Sequence, residues 1–343
     1  MTLATPRPTK RAPGVLLTPI RLEDLPPAPP GRAGWPWTEE GVPCPPTRSD
    51  GSPWPRISIV TPSFNQGEFI EETIRSVLLQ GYPNLEYVVI DGGSSDASPQ
   101  IIEKYAPWLS CWVSEPDRGH FDAVNKGFAG TRGEIMAWIN SDDKYAVNAF
   151  AVVGEVFAQL PAVEWVTSLR PILWRADGRE RWCRRLPGYS REAFWSAEYV
   201  VGVGHFHSGW IQQESTFWRR SLWHRAGGRL DPSLRLAGDF ELWARFFRHA
   251  ELHGIVARVG GFRRHDRQRT RIDRTGYIEE AAKILEEYGG KPHGRMKAFL
   301  RKWISRLPAL ARKMLAGSGL VFPGEIIMPD GKSGGWRLEK TVV

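Results

Sequence analysis

From Arg56 onward, short β-branched apolar runs alternate with stretches whose apolar residues recur at helical spacing. Ile57-Ser58-Ile59-Val60 predicts a strand. Ile70, Ile74, Val77 and Leu78 then share one helical face and predict a helix over about 68–80, stopped by Gly81-Tyr82-Pro83-Asn84. The run at 85–90 predicts a second strand, 99–105 a second helix, and Cys111-Trp112-Val113 a third strand. Met136-Ala137-Trp138-Ile139 is the next strand in the series. Alternation at this length predicts an α/β fold with a mostly parallel central sheet and helices on both faces. In such sheets the carboxyl ends of the strands deliver polar loops to one edge, where nucleotides bind.

The alternation fails at both ends of the chain. Residues 1–55 are crowded with proline (Pro26, Pro27, Pro29, Pro30, Pro43, Pro45, Pro46), which predicts an extended or disordered arm. A plain linker is the simpler role for it; a proline-motif ligand is the alternative. Residues 271–343 predict a helical extension, with one helix over 278–288 ending at Gly289-Gly290. In the basic segment 296–315, interrupted by Pro308, Met296, Phe299, Leu300, Trp303, Ile304 and Leu307 fall at helical spacing among Lys297, Arg301, Lys302 and Arg306. Such a segment either packs back on the body of the protein or lies in an anionic membrane interface. Between the two ends, one domain over 56–270 is expected, with a nucleotide-binding half over about 56–145 and a second half over about 146–270. That second half is rich in tryptophan, for which core packing is the default role and stacking against a ligand the alternative.

Composition narrows the partners. A hydrophobic content of 41% over 343 residues supports a real core, and the net charge of +8 with a pI near 9.5 points to anionic ligands. Cys44, Cys111 and Cys183 are too few and too far apart for a disulfide or metal framework, which fits a reducing compartment. No apolar run approaches the roughly 20 residues of a membrane span. The N-terminus, with Pro6, Pro8 and Pro13, lacks the apolar segment of a secretory signal. A cytoplasmic protein is expected.

The candidate chemistry sits at the strand ends. The strand through Trp138-Ile139 ends in Asn140-Ser141-Asp142-Asp143, and adjacent carboxylates repel unless a cation compensates them. A divalent metal escorting a diphosphate is one reading; a helix cap is the other. Asp91, followed by Gly92-Gly93-Ser94, is placed to accept from a base or ribose, or to close its own turn. Phe64 could lie against a nucleobase, with Ser63 and Asn65 as ligand or turn residues. Arg118 and Lys126 are candidate phosphate partners, and Asp122 and Asn125 candidate cap or packing residues. Further on, Gln213 and Glu214 precede Ala237-Gly238-Asp239-Phe240-Glu241-Leu242-Trp243. Asp239 is there either a helix cap or a general base. His265, ending an apolar-to-basic run, is structural or completes a metal's ligand set.

Thr61-Pro62-Ser63-Phe64-Asn65-Gln66, Ile90-Asp91-Gly92-Gly93-Ser94-Ser95-Asp96, Trp138-Ile139-Asn140-Ser141-Asp142-Asp143 and Ala237-Gly238-Asp239-Phe240-Glu241-Leu242-Trp243 occur in an order and spacing that resemble the family-2 glycosyltransferases of the GT-A fold. The similarity covers about residues 56–270. It implies an inverting enzyme that moves a sugar from a nucleotide diphosphate donor, with UDP foremost, to a hydroxyl acceptor on a glycan or lipid in surface polysaccharide or glycolipid synthesis. It implies that Pro62, Ser63, Phe64, Asn65, Asp91 and Ser94 line the nucleotide pocket, with Arg118 near the phosphates. By the same resemblance, Asp142 and Asp143 match the metal and ribose carboxylates, Asn140 standing where many members carry a first Asp. Asp239 matches the catalytic base, and His265 a metal or diphosphate ligand. Gln213, Glu214 and Trp243 would then belong to the acceptor half, with Mg²⁺ or Mn²⁺ as cofactor and no nucleic acid as partner. The resemblance does not reach 296–315, whose own residues leave peripheral contact with the inner face of the cell membrane as one of two readings. Two other classes compete. A sugar-1-phosphate nucleotidyltransferase would carry a basic, glycine-rich phosphate loop after the first strand, and Thr61-Pro62-Ser63-Phe64-Asn65-Gln66-Gly67 contains no Lys or Arg. A non-catalytic anion-binding protein would have little use for clustered acids.

Overall fold

The strand predicted over Ile57-Ser58-Ile59-Val60 extends three residues further, to β1 (Ile57–Ser63), and every residue of it is buried. That is the signature of a central parallel strand covered on both faces. The computed structural model describes residues 18–181, 185–268, 272–331 and 334–343, so Pro6, Pro8, Pro13, Trp182 and Cys183 lie outside the described residues. The chain divides into two compact units, Met1–Ala151 and Val152–Val343.

In the first unit β1 is followed by α1 (Ile70–Leu78), β2 (Leu85–Asp91), α2 (Ser98–Tyr105), β3 (Cys111–Ser114), α3 (His120–Ala129), β4 (Ile135–Trp138) and the short β5 (Lys144–Tyr145). β1 pairs in parallel with β2 on one side and β4 on the other, and β2 pairs in parallel with β3. The order β4-β1-β2-β3 therefore reverses at β1, which makes the gap between the ends of β1 and β4 the topological switch point. Register aligns Ser63 with Asp91 and Asp91 with Ser114, so three strand ends finish level. α3 lies close to the sheet because a Cβ at Gly127 would overlap Val60. At the opposite end of the strands, buried Glu86 accepts hydrogen bonds from Ser58 Oγ at 2.5 Å, Arg132 N at 2.7 Å and Gly133 N at 3.1 Å. That cluster is far from the loop edge and holds the fold.

The proline-rich arm is ordered where it is described. Leu25, Trp37, Cys44 and Trp54 are buried, so apolar anchors spaced among the prolines fasten an otherwise extended segment. Arg75 on α1, 1% exposed, is the fastening point. Its guanidinium donates to Pro36 O at 3.0 Å, Pro26 O at 2.8 Å, Trp37 O at 3.1 Å and Tyr105 Oη at 3.1 Å. Arg75 suits the role because its five donors can serve several carbonyls at once. One helical turn away, Glu72 and Lys144 form a buried ion pair at 2.6 Å, and Lys144 Nζ also donates to Trp35 O at 3.1 Å. Of the extended or disordered arm expected, residues 18–55 form an irregular segment whose carbonyls at Pro26, Pro36 and Trp37 are collected by Arg75 of α1.

α4 (Ala149–Gln159) spans the boundary in sequence. The second unit continues with β6 (Trp165–Ser168), β7 (Ile172–Arg175), β8 (Glu180–Arg181), α5 (Arg191–Trp195), β9 (Phe217–Arg219), α6 (Arg220–Arg225), α7 (Gly238–Phe247), β10 (Leu252–Ile255) and β11 (Gly260–Arg264). It ends with α8 (Arg274–Glu287), α9 (Arg295–Ile304), α10 (Ala309–Met314), β12 (Pro323–Pro329) and β13 (Trp336–Val342). β6 is flanked by parallel β10 and antiparallel β9, β10 pairs in parallel with β12, and β13 closes the edge antiparallel to β12. Separately, β11 pairs in parallel with β7, which pairs antiparallel with β8. The tryptophans pack this core: Trp165 stacks on Trp243 at 5.5 Å and Trp218 meets Trp243 edge-on at 5.9 Å. The extension over 271–343 contains the helices α8, α9 and α10 and, in addition, the β12–β13 hairpin. Its apolar pair Ile326-Ile327 is too short to declare a strand by period; pairing with β10 decides it, and the hairpin covers what would be an open sheet edge.

Candidate active site

The loops after β1 and β2 are stitched to each other. Asn65, in the left-handed region at φ 53°, donates from its backbone to Ser94 Oγ at 2.8 Å, while its side-chain Oδ1 accepts from Ser95 N at 2.9 Å. Gly67 N donates to Asp96 Oδ2 at 2.8 Å and Gln66 N to Ser98 Oγ at 3.0 Å. Burial would raise the Asp96 carboxyl, but Ser98 and the Gly67 amide outweigh it and hold its pKa below the ordinary value. Phe64 is left 61% exposed on this rigid loop, a bare aromatic face. An exposed Phe on an ordered turn is the geometry a flat heterocycle can stack on.

Asp91 is fully buried and accepts from Ser94 N at 2.9 Å, from Ser94 Oγ, and from Ser114 Oγ at 2.7 Å. The turn-closing reading is therefore realised. A carboxylate has about four acceptor sites, so three donors leave capacity for one more. Ser63 Oγ, buried beside it in strand register, has no hydrogen-bond partner among the described residues. A buried hydroxyl without a partner is costly and marks a place where a ligand or water atom belongs. Gly92 and Gly93 are required here: a Cβ on Gly92 would press on Asp117, and Gly93 has φ 81° beside Pro116.

The next loop presents basic side chains at the start of α3. Arg118 donates to Asp122 Oδ1 at 2.8 Å, yet its side chain is 77% exposed. Asp122, held below the ordinary carboxylate range chiefly by that hydrogen bond, also accepts from Arg118 N at 3.1 Å and lies 3.8 Å from Lys126. Asp122 thus orients the cations and ties down the turn before the helix.

After β4 the chain runs through the acidic pair. Asp143 is fully buried, and Asn140 Nδ2 donates to its Oδ2 at 3.0 Å. Asn140 Oδ1 is buried with no partner among the described residues. Asp142 is only partly buried. The turn is held from below by Thr73, whose hydroxyl lies 2.9 Å from Ser141 O and 2.6 Å from Asp143 O. The acidic pair leads directly into β5, and α4 begins only at Ala149, so the helix-cap alternative does not hold. Among the described residues no group of three or more His, Cys, Asp or Glu side chains forms a metal cage.

In the second unit, Asp239 lies in the first turn of α7, whose cap position is Ala237, with no side-chain cap bond. The cap reading fails here too. Its carboxyl pKa is pushed up to about 6, chiefly by burial and partly by Glu280, against the backbone amide of Phe240, which donates at 2.8 Å. Glu280 on α8 accepts from Arg235 N at 3.1 Å, Leu236 N at 2.9 Å and Ala237 N at 2.9 Å, and so fixes the loop that aims Asp239. Tyr277, one turn before Glu280, has its phenol pushed up by burial and by the charges of Asp239 and Glu214. Gln213 and Glu214 are buried in a 3-10 turn (Gln213–Ser215) just before β9. Glu241 is engaged elsewhere, accepting from Arg245 at 2.7 and 2.6 Å and from Tyr288 Oη at 2.7 Å. Trp243 corrects an expectation: at 1% exposure inside the aromatic cluster it is core and faces no acceptor. His265, 7% exposed, comes directly after β11, and its backbone amide donates to Gln268 Oε1 at 3.4 Å.

Tyr277 and Glu280 escaped the sequence reading because only folding brings α8 to the start of α7. Ser114 was more legible, as the polar residue that ends an apolar strand.

A family model described as Glycosyl transferase family 2 matches residues 58–201, the stretch that begins at β1 and contains both loop clusters and the acidic pair. An uncharacterized glycosyltransferase of Mycobacterium tuberculosis is 31% identical over 199 residues, 56% of this chain and 68% of its own length. The chain belongs to glycosyl transferase family 2. An uncharacterized glycosyltransferase of Rickettsia typhi is 23% identical over 276 residues, covering 78% of this chain and 80% of its own. Among solved structures, S. aureus TarS 1-349 superimposes with a TM-score of 0.51 at 14% identity over 77% of this chain and 73% of that one. The same fragment solved with UDP-GlcNAc superimposes with a TM-score of 0.50 at 13% identity, over 71% and 70%. These likenesses establish the fold, which is the expected GT-A arrangement. This family-2 chain is a glycosyltransferase, which sets aside the nucleotidyltransferase and the non-catalytic alternatives.

Proposed function

We propose that the enzyme transfers a sugar from a nucleotide diphosphate sugar, with UDP as the nucleotide, to a hydroxyl acceptor on a glycan or lipid-linked glycan, with inversion at the anomeric carbon. The observation that carries the reading is Asp239, a helix-borne carboxyl whose pKa near 6 lets it be ionised at neutral pH and still accept a proton readily. Asp239 takes the proton of the acceptor hydroxyl while that oxygen forms its bond to the anomeric carbon. The bond from that carbon to the diphosphate oxygen breaks on the opposite face, and the electron pair leaves with the nucleoside diphosphate.

In this reading Phe64 stacks on the base, Ser63 Oγ and the remaining acceptor site of Asp91 bond its edge, and Pro62, Asn65 and Ser94 shape the loop that holds it. Arg118, exposed and oriented by Asp122, meets the diphosphate. The UDP assignment draws on the TarS fragment solved with UDP-GlcNAc. Asp142 and Asp143, with the unpartnered Asn140 Oδ1, are an oxygen donor set of the kind Mg²⁺ or Mn²⁺ prefers when phosphates supply the remaining ligands. Bound there, the metal would supply charge neutralisation for the leaving diphosphate. His265 is proposed as a further ligand of metal or diphosphate, and Gln213 and Glu214 as part of the acceptor side. Few and scattered cysteines fit an enzyme of the cytoplasm, and surface polysaccharide or glycolipid assembly is the proposed setting. No described helix is long and apolar enough to cross a membrane.

Purified protein assayed against a panel of UDP-, GDP- and dTDP-sugars tests the donor. Asp239→Asn should lower turnover by roughly 10²–10⁴-fold while leaving UDP binding by calorimetry unchanged. Wild-type turnover in that variant would remove Asp239 as the base.

A further inference from the structure

α9 has two apolar faces, and among the described residues the fold covers only one. Ala298, Arg301 and Ile304 are its buried positions. Arg301 fixes that face: its Nε donates to Glu198 Oε1 at 2.7 Å and its Nη2 bonds Glu198 Oε2. Its Nη1 donates to Leu320 O at 3.0 Å and Val343 O at 2.8 Å, and the guanidinium lies 4.6 Å above the Phe322 ring. Glu198 is fully buried and also meets His293 Nε2 at 3.0 Å. A helix pinned through a buried, many-bonded arginine cannot roll over to hide its other side.

That other side is apolar and open. At about 100° per residue, Met296, Phe299, Leu300 and Trp303 fall within an arc of roughly 100°, and Leu307 follows just past the end of the helix. They are 74%, 57%, 39%, 55% and 42% exposed. α10 continues the surface with Leu310 and Met314, 75% and 83% exposed. Soluble proteins seldom leave such a contiguous patch uncovered. Within the segment itself the charge is of one sign. Residues 295–315 contain no Asp or Glu, and Arg295, Lys302, Arg306 and Lys313 are exposed.

We propose that α9 and α10 dock on an anionic lipid bilayer, lying in its interface with Phe299 and Trp303 among the acyl chains and the basic side chains at the headgroups. The charge pattern selects this occupant. A bilayer with acidic headgroups satisfies both the apolar stripe and its cationic margin. A second copy of the chain pairing face to face would set one basic margin against another. The inference does not rest on the donor or metal assignments, because vesicle binding is read without turnover.

The test uses the full chain in flotation with phosphatidylcholine vesicles, with and without phosphatidylglycerol. The wild type should float with the phosphatidylglycerol vesicles, and its binding should weaken with salt. Phe299→Ser/Trp303→Ser and Lys302→Glu/Arg306→Glu should each weaken binding by at least about tenfold. Their thermal midpoints and nucleotide-sugar hydrolysis in solution should match the wild type, since the altered side chains are exposed. Vesicle binding that survives both double variants would overturn the proposal. So would a wild type that ignores anionic vesicles, or one that forms a dimer by light scattering which the apolar variant dissolves.

Discussion

At the scale of single residues, Asp239 joins a chemical role to a cost in stability. Its carboxyl pKa is pushed up to about 6 by burial, so the folded state holds the proton more tightly than the unfolded chain does. Below about pH 4 both states are protonated and nothing is lost. As pH rises through 6, the folded protein must ionise a desolvated group, and stability falls. Asp239→Asn should therefore raise the unfolding free energy at pH 7.5 by on the order of 1–2 kcal/mol, with the gain fading by pH 4 in urea titrations. A gain that stayed constant across that range would mean the carboxyl is not the cause. Asp142 and Asp143 should separate by the same kind of measurement. Asp143 is sealed and bonded to Asn140, whereas Asp142 is partly open. Asp143→Asn is expected to cost about 1–3 kcal/mol of stability. Asp142→Asn should leave stability within about 0.5 kcal/mol yet reduce turnover and shift its Mn²⁺ requirement. Equal stability losses in the two variants would erase the distinction.

At the scale of elements, α1 does more than cover the sheet. Thr73 supports the turn that carries the acidic pair, Glu72 neutralises Lys144 just after it, and Arg75 gathers the arm. The arm and the acidic turn thus share one helix as their anchor. Arg75→Met removes four hydrogen bonds from buried acceptors, for which about 3 kcal/mol is the expected scale. Residues 18–55 should then be cut by trypsin well before the rest of the chain. An arm as resistant as in the wild type would show that Trp37 and Trp54 hold it unaided. The helix periodicity of α1 was plain in Ile70, Ile74, Val77 and Leu78, but Arg75 sat unremarked on the same helix. A period locates the face that meets the sheet; it says nothing of a buried charge whose acceptors lie up to 49 positions away in the chain.

At the scale of the whole molecule, the sequence by itself determined the α/β class, the strand-end placement of Ser63, Asp91 and Asp142, and the family. Those features depend on local period and on short motifs, and local physics writes both directly into neighbouring residues. Tertiary structure decided the rest. Whether Asp142 and Asp143 cap a helix depended on the next element being β5, and the burial that raises Asp239 comes from residues remote in sequence. Core packing was the default for the tryptophans with stacking on a ligand as the alternative, and for Trp243 it is Trp165 and Trp218, closing around it, that place it in the core. The β12–β13 hairpin exists because β10 offers an edge to pair with, which no window of residues 323–342 can announce. The basic amphipathic segment left open how it would pack, and Arg301 decides one face: it commits that side of α9 to Glu198, while the apolar face opposite stays exposed among the described residues.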